Sequence, residues 1–382
     1  MPAMRSNNLV TDHRAREPRT ASAPKSVSDR RVTHIRERGL SATHQVCGQA
    51  DDKGDAVPCD RLHNLRIVFM GTPEFAVPTL QALLGSAHSV VAVVTQPDRP
   101  KGRGRKLAAP PVKELADRAG LPVLQPTRIR NDIFLNEIKM YDPDLIVVAA
   151  YGRILPGPLL SLPPLGTINV HGSILPRYRG AAPIQWAIIR GETESGVTIM
   201  QMDEGMDTGD ILLIEKTPIA PEDTAGILYG RLAELGGQAL LRALDLLAVG
   251  RLTAVKQDDR QATLAPLLAK EQGLVDWQQP AAVISCLIRG LDPWPTTYTY
   301  LDGRRLRLFS PRVVKAAEPL PPPGTLWQTD AAGLYIATGE DLLLIREVQP
   351  EGGRRMPADD FRRGHALAAG LVFGSGSDTA GP

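Results

Sequence analysis

Net charge is nearly absent from this 382-residue chain: 44 basic residues stand against 42 acidic ones. A globally basic nucleic-acid binder is therefore not indicated, and any RNA-facing footprint has to be local. Cysteine is scarce as well. Cys47, Cys59 and Cys286 are scattered and form no C-x-x-C pair, which argues against a disulfide framework and a zinc cluster and fits a reducing, cytoplasmic setting. No apolar run approaches the roughly 18 residues of a membrane span, and the first residues lack the apolar centre of a secretory leader. Two glycine motifs are missing too. Gly71-Thr72-Pro73 is not G-x-G-x-x-G, so no nicotinamide dinucleotide is expected. Ser173 lacks the G-x-S-x-G setting of a nucleophile elbow, and no serine or cysteine stands in an activating context.

What is present is an ordinary apolar fraction of 43% and enough length for two domains with extra segments. Residues 1–64 mix arginine with Ser, Thr and Asp and hold few apolar residues, too few to offset the entropy of ordering. They read as a disordered extension, an organelle-type presequence or the product of an upstream start. From Leu65 the pattern changes. Short continuous apolar runs at 67–70, 90–95 and 145–149 suit strands buried on both faces. They alternate with helical stretches near 111–118 and 129–140, which predicts an α/β, doubly wound parallel sheet. Further strands are expected at 193–202 and 211–214, then a long amphipathic helix over 224–249. Residues 65–252 thus read as one domain and 253–270 as a polar linker. In 271–372 short strands alternate with Gly/Pro turns, predicting a small β-barrel or sandwich, and 373–382 reads as a disordered tail.

The chemistry concentrates in residues 167–180, Thr-Ile-Asn-Val-His-Gly-Ser-Ile-Leu-Pro-Arg-Tyr-Arg-Gly. Asn169 and His171 stand two apart in an apolar strand, so their side chains share one face. Gly172 and Pro176 then force a turn. The next carboxylate-rich loop, 203–210, carries Asp207. A carboxylate beside an imidazole holds its tautomer and stabilises its charged form. An Asn amide is a neutral donor for charge developing on a carbonyl oxygen. Together they suit attack of an external nucleophile on a carbonyl, with His171 and Asp207 managing the proton. On residues alone two plainer readings stay open: a lone His at a strand end is often structural, and an Asp in a Gly-rich turn often caps backbone amides. Metal binding is not supported by the ligand spacing. A loop at 96–106 carries Arg99, Lys101, Arg103, Arg105 and Lys106 with no acid after Asp98. It is either a solvated loop or one that orders on RNA phosphates.

The stretch from Asn169 to Gln185 resembles the signature of enzymes that use 10-formyltetrahydrofolate. Gly71-Thr-Pro-Glu-Phe, Thr95-Gln-Pro-Asp-Arg-Pro, Gly196-Val-Thr-Ile-Met-Gln-Met, Asp207-Thr-Gly-Asp and Asp292-Pro-Trp-Pro extend the likeness over 65–372, where the chain is similar to the methionyl-tRNA formyltransferase family. The basic loop and the second domain favour that family over glycinamide ribonucleotide formyltransferase, which resembles only the first domain. A sugar-nucleotide formyltransferase acting on a UDP-aminosugar is the alternative.

The resemblance implies a formyltransferase domain followed by an OB-like β-barrel that grips tRNA. It implies transfer of the formyl group of 10-formyltetrahydrofolate to the methionine amino group of initiator methionyl-tRNA, for translation initiation in a bacterial-type cytoplasm. Asn169, His171 and Asp207 would be the catalytic triad. Ser173, Ile174, Leu175 and Pro176 would line the folate pocket, with the backbone of 203–207 holding the pterin. Arg99, Lys101, Arg103, Arg105 and Lys106 would meet the tRNA. No metal is implied, no membrane contact, and a monomer is expected. Ile174 stands where the family commonly has Leu and Tyr178 where it has Trp; both keep the class of shape. Charge in the second domain is about balanced, so an RNA surface there needs a cluster such as Arg304, Arg305 and Arg307. Arg177 and Arg179 have no assigned role.

Overall fold

The computed structural model describes residues 59–101, 106–316 and 319–374. The readings given above for 1–58, for Arg103 and Arg105, and for 375–382 lie outside the described residues.

The first lobe is built on strands that are almost wholly buried, and their composition explains why. β1 (Arg66–Gly71) and β6 (Leu145–Ala149) are continuous aliphatic runs with no alternation, the pattern of strands covered on both faces. Between them come α1 (Val77–Leu84), β2 (Ser89–Val94), the short strands β3 (Arg99–Lys101) and β4 (Lys106–Ala108), α2 (Pro111–Arg118), β5 (Val123–Leu124) and α3 (Asp132–Lys139). α4 (Gly157–Leu160), β7 (Thr167–His171), α5 (Pro183–Ile189), β8 (Glu194–Gln201), β9 (Ile211–Pro218) and the 24-residue α6 (Ala225–Ala248) follow. The sheet order is β5-β2-β1-β6-β7-β8-β9. Helices α1 and α6 cover one face and α3 and α4 the other, giving two apolar layers.

The parallel expectation holds for β5 through β7 and needs correction beyond it. β8 pairs with β7 antiparallel, and β9 with β8 likewise. An apolar run buried on both faces carries no mark of its direction, so the sequence pattern did not separate the two cases. The consequence concerns Asp207. It does not follow a parallel strand; it sits in the β8–β9 loop, whose first residue pair lies beside the start of β7, since the Met202 amide donates to the Thr167 carbonyl at 2.8 Å. The basic segment also differs from a plain loop: Arg99, Pro100 and Lys101 pair antiparallel with Ala108, Leu107 and Lys106.

The second lobe begins with α7 (Ala281–Gly290), which sequence periodicity had not singled out. It continues through β10 (Thr297–Leu301), β11 (Arg304–Val314), β12 (Leu326–Asp330), β13 (Gly333–Ala337), β14 (Leu342–Pro350), β15 (Met356–Pro357) and α8 (Ala358–Gly364). These strands form one antiparallel sheet, ordered β10-β11-β14-β13-β12 with β15 on β14. Strand pairing does not close it into a barrel. Its two edges are instead each bridged to residues 370–374: Tyr300 to Gly374 on β10, and Thr325 to Val372 beside β12. Phe373, 2% exposed, packs on Trp277 inside this lobe. Ordered packing therefore runs past the predicted start of the tail at 373, because an aromatic side chain there fills the core. At the other end, Leu62, ahead of the predicted start at Leu65, is likewise buried in the first-lobe core.

The lobes pack through α5 and α7. Gly290 allows the approach, since a Cβ there would stand 2.5 Å from Ile189. Ala182, Leu268 and Leu291 form a small apolar cluster at this seam.

Candidate active site

Asn169 and His171 lie on the same face of β7, because Ile168 and Val170, which alternate with them, point into the core beneath α6. The chain then turns sharply. Ser173 Oγ donates to the Arg177 carbonyl at 2.7 Å, Thr198 Oγ1 donates to the Ser173 carbonyl at 2.7 Å, and the Leu175 amide donates to Thr198 Oγ1 at 3.1 Å. Tyr178 closes the turn in the left-handed region, at φ 62°, which a bulky L-residue occupies only when its surroundings over-determine it. Three contacts do so. The Tyr178 amide donates to Thr263 Oγ1 at 2.9 Å, its hydroxyl donates to Glu192 at 2.6 Å, and its carbonyl accepts from Nε2 of His171 at 3.1 Å. Burial and the Glu192 carboxylate push the Tyr178 phenol up to about 12.

That last contact sets the imidazole. Nε2 donates to a carbonyl, so the second nitrogen, Nδ1, is the one turned toward the β8–β9 loop. There it meets Asp207 Oδ1 at 3.6 Å. Both ring nitrogens thus face oxygen atoms, Nε2 at hydrogen-bond distance and Nδ1 beyond it. His171 is 6% exposed and the Asp207 side chain 18%. The other carboxylate oxygen, Oδ2, accepts the Gly180 amide at 2.8 Å. Asp207 therefore does both things the residues alone allowed: it caps a backbone amide and it faces the histidine. Asn169 is half-buried, and its amide makes no hydrogen bond to another described residue.

The predicted folate wall divides. Ser173 and Leu175 are 1% and 2% exposed, and Ser173 spends its hydroxyl on closing the turn. Ile174 and Pro176 keep surface that a ligand can touch. A cleft of about 470 Å³ opens at the carboxyl end of β6, lined by Ile129, Phe134, Ile154, Leu155 and Gly157 and bounded by Glu204, three residues before Asp207. It adjoins the β1/β6 pair, where the strand order reverses; open α/β sheets bind their ligands at such a point. Residues 154–157 were not singled out by sequence, since a short apolar loop looks like any core segment.

Of the five cations predicted for RNA, Arg99 is described with its side chain, which donates to Gln96 Oε1 at 3.5 Å, the longest reach of a hydrogen bond. Lys101 and Lys106 are opposed across the β3–β4 pair. Arg177 and Arg179, left without a role by sequence, separate clearly. Arg177 is half exposed and pairs with Glu192. Arg179 is 7% exposed and is held by Gln257 and Asp259. Sequence reasoning missed Gln257, Glu192 and Thr263 altogether and met Thr198 only inside the motif beginning at Gly196, without a role; they lie 14 to 85 residues from their partners in the site, beyond any local pattern. In the second lobe, Tyr298 and Tyr300 stand opposite Arg307 and Arg305 on the outer face of β10–β11, with the Arg305 guanidinium 4.0 Å from the centre of the Tyr298 ring. Among the described residues there is no group of three or more His, Cys, Asp or Glu able to hold a metal ion, and no helix long and apolar enough to cross a membrane.

Comparison with known proteins agrees with this layout. Residues 65–244 match the family model described as "Formyl transferase", and 267–366 match "Formyl transferase, C-terminal domain". A methionyl-tRNA formyltransferase of Desulfotalea psychrophila is 57% identical over 310 residues, which is 81% of this chain and 96% of that protein. Among solved structures, HypX of Aquifex aeolicus in complex with tetrahydrofolic acid superposes with a TM-score of 0.52 at 19% identity, over 78% of this chain. This chain spans about half of that one, 47% of its length. An N-formyltransferase of Helicobacter canadensis in complex with folinic acid and dTDP-3-aminofucose gives a TM-score of 0.55 at 16% identity, over 76% of this chain and 100% of the other. The two structures share the fold at low identity. The sequence likeness reaches further: with both lobes matched in order and more than half of the aligned residues identical, the chain belongs to the methionyl-tRNA formyltransferase family.

Proposed function

We propose that the chain transfers the formyl group of 10-formyltetrahydrofolate to the α-amino group of methionine on initiator methionyl-tRNA. The observation that carries the reading is the approach of Asp207 to Nδ1 of His171 beside a free Asn169 amide, on a chain 57% identical to a protein of that name. Bound 10-formyltetrahydrofolate supplies an activated formyl carbon. The cleft lined by Ile154, Leu155 and Glu204, with Arg130, Asn131 and Asp132 also on its wall, is read as the seat of its ring system, with the partly exposed Ile174 and Pro176 of the turn after His171 as further candidates for contact.

Asn169 donates to the negative charge that develops on the formyl oxygen as the amine nitrogen attacks, and Nδ1 of His171, which Asp207 Oδ1 at 3.6 Å does not hold within hydrogen-bond distance, is the second donor. Asp207 orients His171 and accepts, through a water, the proton that the amine must lose; the same proton reaches N10 as the bond from the formyl carbon to N10 breaks. One C–N bond forms, one breaks, and one proton moves from amine to leaving nitrogen.

The second lobe is read as OB-like and RNA-contacting. Its support is the bridging of both sheet edges by residues 370–374 and the Tyr/Arg face of β10–β11, since stacked aromatics beside guanidinium groups suit nucleic acid. The β3–β4 segment with Arg99, Lys101, Arg103, Arg105 and Lys106 supplies a second cationic element. The cellular place of such a step is the cytoplasm of a bacterial-type cell, where initiator tRNA is charged.

The test is formyl transfer from 10-formyltetrahydrofolate to charged initiator tRNA, with charged elongator tRNA and a UDP-aminosugar as competing acceptors. Preferential formylation of the initiator supports the reading. Transfer to the sugar and not to the tRNA refutes it in favour of a sugar-nucleotide formyltransferase.

A further inference from the structure

Residues 251–266 connect the two lobes and contain neither strand nor α-helix, so they pass for a spacer. Besides α5, which it meets through Trp186 and Pro266, this segment contacts the two loops read as carrying the reaction. Val255 and Ile211 exchange both backbone hydrogen bonds at 2.8 Å where the β8–β9 loop ends. Farther on, the Arg179 amide donates to the Thr263 carbonyl at 2.9 Å and the Ala265 amide to the Arg179 carbonyl at 2.8 Å. One segment is thus stitched to the loop of Asp207 and to the turn after His171.

Between these two anchorages lies Gln257, 7% exposed. Its Oε1 accepts from Nε and Nη2 of Arg179, at 3.1 and 2.8 Å. With the oxygen held from one side by two N–H groups, the amide can present its NH2 only the other way. There Nε2 donates to the carbonyl of Asp207 at 2.8 Å and to that of Gly209 at 2.7 Å. Both hydrogens are used, so the group has one orientation.

Asp207 needs such a hold. Its φ is 55°, a left-handed conformation that a residue other than glycine takes at a cost. Among the described residues its carboxylate accepts a single hydrogen bond, from Gly180. Arg179 needs an explanation of its own. A guanidinium in a residue 7% exposed is expensive to bury, and the one carboxylate it reaches among the described residues, Asp259, is 78% exposed on its side chain. The Gln257 amide oxygen accepts from it twice more, from Nε and Nη2.

We propose that Gln257, oriented by Arg179, is a positioning residue that holds Asp207 in reach of His171, which makes the interlobe segment part of the active site. This rests on the reading of Asp207 as catalytic. It accounts for the residue type. Glutamate at 257 keeps an acceptor for Arg179, loses both donors, and sets a carboxylate oxygen against two carbonyls. Alanine removes the hold without adding repulsion.

The experiment uses the full chain with Gln257→Ala, Gln257→Glu and Arg179→Lys. Arg179→Lys keeps the charge opposite Asp259 and cannot grasp Oε1 from two nitrogens. Three readouts are taken: the thermal melt, steady-state formylation of initiator methionyl-tRNA, and hydrogen–deuterium exchange over 203–210. In the folded variants kcat is expected to fall about 100-fold, the loss that a misplacement of about 1 Å brings, with KM for both substrates within about threefold of wild type. Exchange is expected to accelerate in 203–210 and to stay unchanged in β7 and α6. A folded Gln257→Ala or Arg179→Lys protein with wild-type kcat overturns the proposal. If the wild-type protein itself does not formylate methionyl-tRNA, the functional reading falls and exchange alone decides the clamp: unchanged exchange over 203–210 in the variants overturns it.

Discussion

Oδ1 of Asp207 lies 3.6 Å from Nδ1 of His171 while Nε2 of the same ring is tied to the Tyr178 carbonyl at 3.1 Å. A separation of 3.6 Å is longer than a hydrogen bond, and catalytic contacts often tighten only in the complex. On the proposed mechanism the working edge of His171 is Nδ1, and the group facing it is a carboxylate whose other oxygen is fixed by the Gly180 amide. Asp207→Asn keeps an acceptor for the Gly180 amide and removes the charge. It is expected to lower kcat by about 10²–10⁴, the usual worth of general acid–base catalysis, with KM for tRNA little changed. Asn169→Ala is expected to lose about 10²–10³ as an oxyanion donor. Steady-state formylation kinetics check both, and near-native turnover by either variant removes that residue from the mechanism.

Gly180 offers a structural counterpart. It sits at φ 119°, and a Cβ there would be 2.8 Å from the Ala265 carbonyl oxygen. Gly180→Ala adds both backbone strain and a collision with the interlobe segment, and the amide that holds Asp207 moves with it. A loss of about 1–3 kcal/mol in stability is expected, together with a drop in kcat. Gly230→Ala is the control. A Cβ at Gly230 meets nothing within 4 Å on α6, so alanine should stabilise by about 0.5–1 kcal/mol. Urea denaturation of the two variants against wild type measures the contrast.

Tyr178 ties the site to pH. Its phenol is pushed up to about 12 by burial and the Glu192 carboxylate, and that of Tyr229 also to about 12 by burial. Between pH 10, the ordinary value, and about 12 the unfolded chain gives up these protons and the folded chain keeps them, so stability falls as pH rises. Tyr178→Phe removes one of the two groups and the hydrogen bond to Glu192. Below pH 10 the variant should be less stable by about 1 kcal/mol, and the deficit should narrow through the window from 10 to 12. Its kcat should stay within a few-fold of wild type, because the carbonyl that holds His171 is untouched. A deficit that stays constant from pH 8 to 12 contradicts the assignment.

How much of this was legible beforehand follows from the range of each signal. β6 and α2 have the residues sequence periodicity assigned them, since burial on two faces or one leaves a local pattern in the apolar positions. Asn169 and His171 were legible for the same reason, being two apart on one strand. The direction of β8 was not, because parallel and antiparallel buried strands share a composition. The network of Arg179, Gln257 and Asp259 was invisible for a different reason. A buried arginine is recognisable only through its partners, and these lie 78 and 80 residues away in a segment with no periodicity. What made that segment resemble a linker, its polar and irregular composition, is what lets it satisfy the backbone of two loops.

The outer face of β10–β11 yields the remaining prediction. Across an antiparallel pair, diagonal neighbours are within reach of long side chains, and Arg305 uses that reach to lie over the Tyr298 ring at 4.0 Å. Tyr298 and Tyr300 meet edge to face at 5.9 Å, and Arg307 donates to Gln349 at 3.3 Å. The lobe's charge is about balanced, so this local cluster has to do what net charge does not. A guanidinium held flat against an aromatic ring is oriented in advance and loses less freedom on meeting a phosphate. Arg305→Ala is therefore expected to raise KM for initiator methionyl-tRNA and to reduce the slope of log K against log salt by about 1, as follows when one phosphate fewer is neutralised. KM for 10-formyltetrahydrofolate and the rate at saturating tRNA should stay as in wild type, since the residue lies in the second lobe, away from β7. Tyr298→Phe keeps the ring beneath the guanidinium and should leave both quantities unchanged. A salt slope unaffected by Arg305→Ala removes this face from the RNA surface and leaves the β3–β4 segment as the cationic element to test next.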